Sequence, residues 1–154
     1  MKLSNNNLNI REKDAKSFSF GIVKSLWNED ITNKLYNGTY TTLLKYGAKP
    51  SKIITKNVPG SFELIYGAKE LFKVNKLDAI IVIGSIIKGD TPHFDFISQS
   101  VANGIKDLNI LFDIPFIFCV LTDLNIKQAQ ERSGGIHGNK GSDSALTAIH
   151  LLTN

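Results

Sequence analysis

Asp78 to Asp95 reads DAIIVIGSIIKGDTPHFD, and its first half limits the fold more than any other stretch. Ala79 to Ile83 is an unbroken apolar run held between Asp78 and Gly84. A short β-branched run of this kind buries both faces of a strand, as in a sheet covered by helices on both sides. A glycine-bracketed loop is expected from Gly84 to Gly89. Asp90-Thr91-Pro92 then sets up a helix start, with Thr91 as N-cap and Pro92 at the first helical position. Phe94, Ile97, Val101, Ile105 and Leu108 recur along one face of that helix. His93 falls in its first turn, beside backbone N–H groups that lack intrahelical partners and suit an anion.

Gly84-Ser-Ile-Ile-Lys-Gly89 has the glycine spacing of a nucleotide P-loop. That motif next requires Lys, and here the position is Asp90, whose carboxylate repels a polyphosphate. A P-loop ATPase is excluded. A single phosphate on the helix N-terminus is not.

The rest of the chain alternates in the same way. Phe18 to Lys24 reads as a strand, ended by Ser25-Leu26-Trp27. Asn28 caps a helix to about Tyr46, with Ile31, Leu35, Gly38, Thr42 and Tyr46 along one side and Gly47 as its stop. Lys52 to Val58 fits a strand, Pro59-Gly60 a turn, and Ser61-Phe62-Glu63 the start of a helix reaching about Lys73. Pro115 to Leu121 is a further core strand. Two helices close the chain, Asn125 to about Arg132 and Ser142 to about Leu152, joined by Ser133 to Gly141. Strands alternating with helices at crossover lengths predict one α/β domain over residues 18–154. It is a three-layer sandwich around a central parallel four-stranded sheet, of flavodoxin-like type. Residues 1–17, polar and rich in Asn, read as a loose, flexible N-terminal arm, or as an edge strand for a neighbour. Ligands collect beyond the carboxyl ends of such strands, where Trp27, Ser61 to Glu63 and Ser85 to His93 converge.

Composition narrows the class. With 42% hydrophobic and 21% charged residues the chain reads as soluble and globular. No apolar run reaches the length of a membrane span, and the N-terminus lacks the apolar core of a signal peptide. Cys119 is the one cysteine and lies in an apolar run, which predicts a reduced, cytoplasmic protein with a packed thiol. The net charge of +4 is spread along the chain, so no nucleic-acid surface is expected.

Val58-Pro-Gly-Ser-Phe-Glu63, Gly89-Asp-Thr-Pro-His-Phe-Asp95, Val120-Leu-Thr122, Gln128-Ala-Gln-Glu-Arg132 and Gly138-Asn-Lys-Gly141 occur in that order. Together these blocks resemble the lumazine synthase family, from about Phe20 to the end of the chain. The resemblance implies condensation of 5-amino-6-(D-ribitylamino)uracil with 3,4-dihydroxy-2-butanone 4-phosphate to 6,7-dimethyl-8-ribityllumazine. This is the penultimate step of riboflavin biosynthesis, and the family uses no metal or organic cofactor. Lys88 stands where an Arg is frequent, and Cys119 where a small Gly is frequent.

The resemblance also implies roles. Trp27 offers an aromatic face to the pyrimidine. Ser61, Phe62 and Glu63 hold the ribityl chain and ring edge, and Ser85, Ile86 and Ile87 line the pyrimidine site. Asp90 and Thr91 form the phosphate-binding turn, in which backbone N–H groups bind and the aspartate side chain points away. Arg132 supplies a bidentate fork for phosphate. His93 is the proton-transfer residue, since an imidazole serves in both directions near neutral pH. Phe118, read from this chain alone as mid-strand core, enters the site from the adjacent subunit together with Arg132 and Lys140. Lys140 and Asp143 act as supporting electrostatics, although a surface Lys–Asp pair is the plainer reading.

A shared site implies a ring of subunits, and the family resemblance implies that the ring is a homopentamer. Family members that stop at the pentamer tend to carry inserted residues between the last two helices. The connection from Arg132 to Lys140, Ser-Gly-Gly-Ile-His-Gly-Asn, has none. The resemblance therefore implies pentamers packed into a hollow icosahedral shell, with a free pentamer as the alternative. Riboflavin synthase is the expected protein partner. Two alternatives remain at this point. An archaeal riboflavin synthase of related fold is opposed by the Gly138–Gly141 block and His93. A non-catalytic flavin- or lumazine-binding shell protein is opposed by Trp27, Glu63, His93, Phe118 and Arg132 occurring together.

Overall fold

The computed structural model describes residues 8–154. Strand β1, Phe20–Ser25, leads to helix α1, Glu29–Lys45, and after a 3-10 turn to β2, Ile53–Val58. Helix α2, Leu64–Val74, β3, Ala79–Ile87, α3, His93–Leu111, and β4, Phe116–Asp123, follow. The short α4, Ile126–Arg132, a hairpin of β5, Ser133–Gly135, and β6, Gly138–Asn139, and α5, Lys140–Thr153, complete the chain. The main sheet runs β2-β1-β3-β4 with every pairing parallel. Its order reverses direction between β1 and β3, which is where such sheets bind ligands.

Alternation along the strands sorts the core into two layers. Phe20, Ile22, Ile81, Ile83, Cys119 and Leu121 face Ile31, Leu35 and Leu43 of α1 and Ala145 and Ile149 of α5. Val23, Ile80, Val82, Phe116 and Val120 face Leu64, Ala68 and Leu71 of α2 and Val101, Ile105 and Leu108 of α3. The run Ala79–Ile83 is fully buried, as its composition requires, and each large side chain there contributes about 1.5–3 kcal/mol by leaving water.

Several local expectations shift. Gly84 does not open a loop, because β3 continues through it to Ile87, paired with β4 from Gly84↔Val120 to Ile87↔Asp123. Helix α3 starts at His93, with Pro92 in the cap position, since the Pro92 carbonyl already accepts from Asp95 and Phe96 N–H. Asn28 occupies the cap position of α1, but its side chain caps nothing there. The buried stripe of α1 is Ile31, Thr32, Leu35, Thr39 and Leu43, so Thr42 lies beside the inner face, not on it.

Gly47 does close α1, at φ +96. Gly134 and Gly138 also hold positive φ, at 127 and 77, in the hairpin that replaces the expected plain loop. Of the N-terminal arm, residues 1–7 lie outside the described residues. Ile10 and Ala15 are buried, and Ala15 N–H donates to the Tyr46 carbonyl at 2.9 Å. No helix of the described residues is long and apolar enough to cross a membrane.

Candidate active site

β1, β2 and β3 end side by side, and the loops that follow them enclose a cavity of about 610 Å³. Trp27, Ser61, Phe62, Glu63, Ser85, Ile86, Ile87, Thr91 and His93 line it, together with Asn28, Gly60, Gly89, Phe94 and Ile97. Most of the residues expected at the site therefore meet in one place. Asp90 is exposed and does not line the cavity.

Backbone hydrogen bonds fix the aromatic wall. Leu26 N–H donates to the Val58 carbonyl at 2.9 Å and Trp27 N–H to the Pro59 carbonyl at 3.0 Å, carrying the β1–β2 ladder past the strand ends. The indole of Trp27 is 72% exposed, which leaves a broad face open to a flat ring. Asn28 next to it adopts the left-handed conformation at φ 56, which Asn tolerates better than most residues. Its Nδ2 donates to the Ser85 carbonyl at 2.8 Å and ties the Trp27 loop to the end of β3. Asn28 was expected only as a helix cap, because a local pattern cannot show a partner 57 residues away.

The polar lining comes from α2 and β3. Glu63 Oε2 accepts from Gly60 N–H at 2.9 Å and closes the turn before α2. The hydroxyls of Ser61 and Ser85 are buried, line the cavity and have no hydrogen-bond partner among the described residues. Such groups are costly unless a ligand or water satisfies them. Gly84 allows the approach: a Cβ there would lie 2.6 Å from Ser61 Oγ. His93 sits exposed at the start of α3, its N–H 3.4 Å from Thr91 Oγ1.

Phe118, Arg132, Lys140 and Asp143 do not join this cavity. They line a second depression of about 680 Å³ along the edge strand β4 and α5. Phe118 is mid-strand as expected but 42% exposed, so it is not core in this chain. Lys140 and Asp143 pair at 2.8 Å and are largely buried rather than on the surface. Beside them burial pushes the Cys119 thiol up to about 11, against a smaller lowering by the Ser144 hydrogen bond. Arg132 Nη1 donates to Asp123 Oδ1 at 2.9 Å. Nothing local marks Asp123: it lies just past the apolar run Pro115–Leu121, and its partner is nine residues further on. Among the described residues no cluster of His, Cys, Asp or Glu is placed to hold a metal ion.

A family model described as 6,7-dimethyl-8-ribityllumazine synthase matches residues 17–154. This chain belongs to that family. A protein of Flavobacterium johnsoniae named 6,7-dimethyl-8-ribityllumazine synthase is 52% identical over 155 residues, spanning 98% of this chain and 82% of that protein. One of the same name in Christiangramia forsetii is 50% identical over 98% of this chain and 93% of its own length. Another, in Parabacteroides distasonis, is 50% identical over 90% of this chain and 87% of its own. Membership in the lumazine synthase family makes this chain a transferase of riboflavin biosynthesis.

Proposed function

We propose that this chain condenses 5-amino-6-(D-ribitylamino)uracil with 3,4-dihydroxy-2-butanone 4-phosphate at a site shared between two copies. The observation that carries this reading is the separation of the expected residues into two groups. Trp27, Ser61–Glu63, Ser85–Ile87 and His93 line one cavity, while Phe118 and Arg132 line another. The first group takes the pyrimidine: Trp27 stacks on it, and the Ser61 and Ser85 hydroxyls and Glu63 meet its polar edge and ribityl chain. Thr91 and the start of α3 take the phosphate, joined by Arg132 of a second copy, and Phe118 of that copy closes the ring pocket. His93 stands where an imidazole moves protons during imine formation, phosphate loss and ring closure. Holding amine and ketone together supplies much of the acceleration.

A closed ring of copies meets this need, because head-to-tail contacts bring the second group of each chain to the first group of the next. We take the ring to be a pentamer and the pentamers to be shell-forming, in the cytoplasm, with riboflavin synthase as partner. The chemical test is to mix the purified protein with both substrates and follow the lumazine product by absorbance. The shared site is tested by co-assembling Trp27→Ala with Arg132→Ala subunits. A shared site regains native pairs and turnover in the mixture, whereas a site within one chain leaves the mixture as slow as its components.

A further inference from the structure

One carboxylate stands where a phosphate site would not be expected to hold it. Asp123 ends β4 and is 3% exposed, directly against Arg132. Its Oδ1 accepts from Arg132 Nη1 at 2.9 Å, while Oδ2 is buried without a hydrogen-bond partner among the described residues. A buried carboxylate with an unsatisfied oxygen is costly, and its charge works against binding an anion nearby. A residue that carries both costs needs a compensating task.

The backbone holds Asp123 rigidly. It pairs with Ile87 in the sheet, and its carbonyl accepts from Lys88 N–H at 2.9 Å. The chain between Asp123 and Arg132 is closed by Asn125 Oδ1, which accepts from Gln128 N–H at 3.0 Å. It is closed again by Gln128 Oε1, which accepts from Leu124 N–H at 2.8 Å. Arg132 itself is in the last turn of α4, with a side chain 39% exposed, and left alone it would sample many rotamers. Glu131, His137 and Lys140 line the same cavity of about 690 Å³ as Asp123 and Arg132. Among the described residues, Asp123 is the one hydrogen-bonded to the guanidinium.

We propose that Asp123 is a positioning residue: it occupies Arg132 Nη1 and fixes the guanidinium plane, so that the remaining N–H donors meet the phosphate of the substrate in a set orientation. The fork geometry of arginine makes that orientation matter. This rests on the reading of Arg132 as a phosphate ligand.

The test uses the full chain, with inorganic phosphate as competitive inhibitor alongside the phosphate substrate. Asp123→Ala should raise the phosphate inhibition constant and the KM of the phosphate substrate by roughly tenfold, with the pyrimidine KM unchanged. Asp123→Asn keeps an oxygen that accepts from Nη1 and should give a smaller rise. In an Arg132→Ala background the sign should reverse, because Asp123 is then an unpaired negative charge and its removal should lower both constants. Asp123→Leu, close in size and without an acceptor, repeats the test if the alanine variant does not fold. A rise for Arg132→Ala with no change for Asp123→Ala would overturn the positioning role. So would the same factor for Asp123→Ala in both backgrounds. If Arg132→Ala leaves the phosphate constants unchanged, the assignment of Arg132 itself falls, and this proposal falls with it.

Discussion

Gly141, at the start of α5, lies directly against the backbone carbonyl of Leu35 in α1. A Cβ at Gly141 would overlap the Leu35 oxygen and come within 2.7 Å of its carbonyl carbon and 2.8 Å of Thr39 Oγ1. Thr39 Oγ1 in turn lies within hydrogen-bond distance of the Leu35 and Gly141 carbonyls, at 3.0 and 3.1 Å. Backbone cannot yield as a side chain can, so Gly141→Ala should cost roughly 3 kcal/mol or more. Thr39→Val should cost about 1 kcal/mol. Urea unfolding monitored by circular dichroism measures both, and equal small losses would show that the α1–α5 crossing relaxes.

His93 is exposed at the rim of the cavity, so its replacement tests the proposed chemistry with little effect on folding. His93→Ala should slow turnover by about 10²-fold or less, at the low end for general acid–base catalysis, because proximity of amine and ketone survives. Unchanged kcat in the folded variant removes His93 from the mechanism.

The two groups of site residues should separate kinetically. Trp27→Ala removes a stacking face and should raise the KM of the pyrimidine chiefly. Arg132→Ala removes a charge-assisted fork and should raise that of the phosphate substrate chiefly. The reverse pairing would mean that the two halves of the site are wrongly assigned.

Cys119 links stability to pH at the alkaline end. Burial raises its folded value from 9.0 to about 11, so the folded state keeps a proton that the unfolded chain loses. This contribution is complete below pH 9.0 and is lost as pH rises toward 11. Two units at 1.36 kcal/mol each give about 2 to 3 kcal/mol. Cys119→Ala should therefore lose less stability than the native chain between those values. Parallel stability–pH curves for the two proteins would contradict it.

Assembly can be measured by light scattering and electron microscopy. Gly134 and Gly138 use positive φ, and a Cβ at Gly135 would lie 2.7 Å from Glu131 Cα, so the hairpin between α4 and α5 is tight. With no inserted residues there, hollow particles far larger than a pentamer are expected. Particles no larger than one pentamer across a range of buffers would defeat the shell, and a stable active monomer would defeat the shared site.

The sequence alone determined the α/β class, the four parallel strands and most of the residues around the Trp27 cavity. Those features are written locally, in a doubly buried run such as Ala79–Ile83 and in loops that leave strand ends on one edge of the sheet. What only the tertiary structure decided depends on contacts distant in the chain. Pairing with β4 drew Gly84 into β3. The Ser85 carbonyl took the Asn28 side chain that local pattern gives to a helix cap. Leu35 and Gly141 set the α1–α5 crossing. Asp123 meets Arg132 across the turn that Asn125 and Gln128 close. A period of two or of 3.6 residues records which face of an element is buried, but not which polar group it will meet, since that is fixed only when separate elements pack.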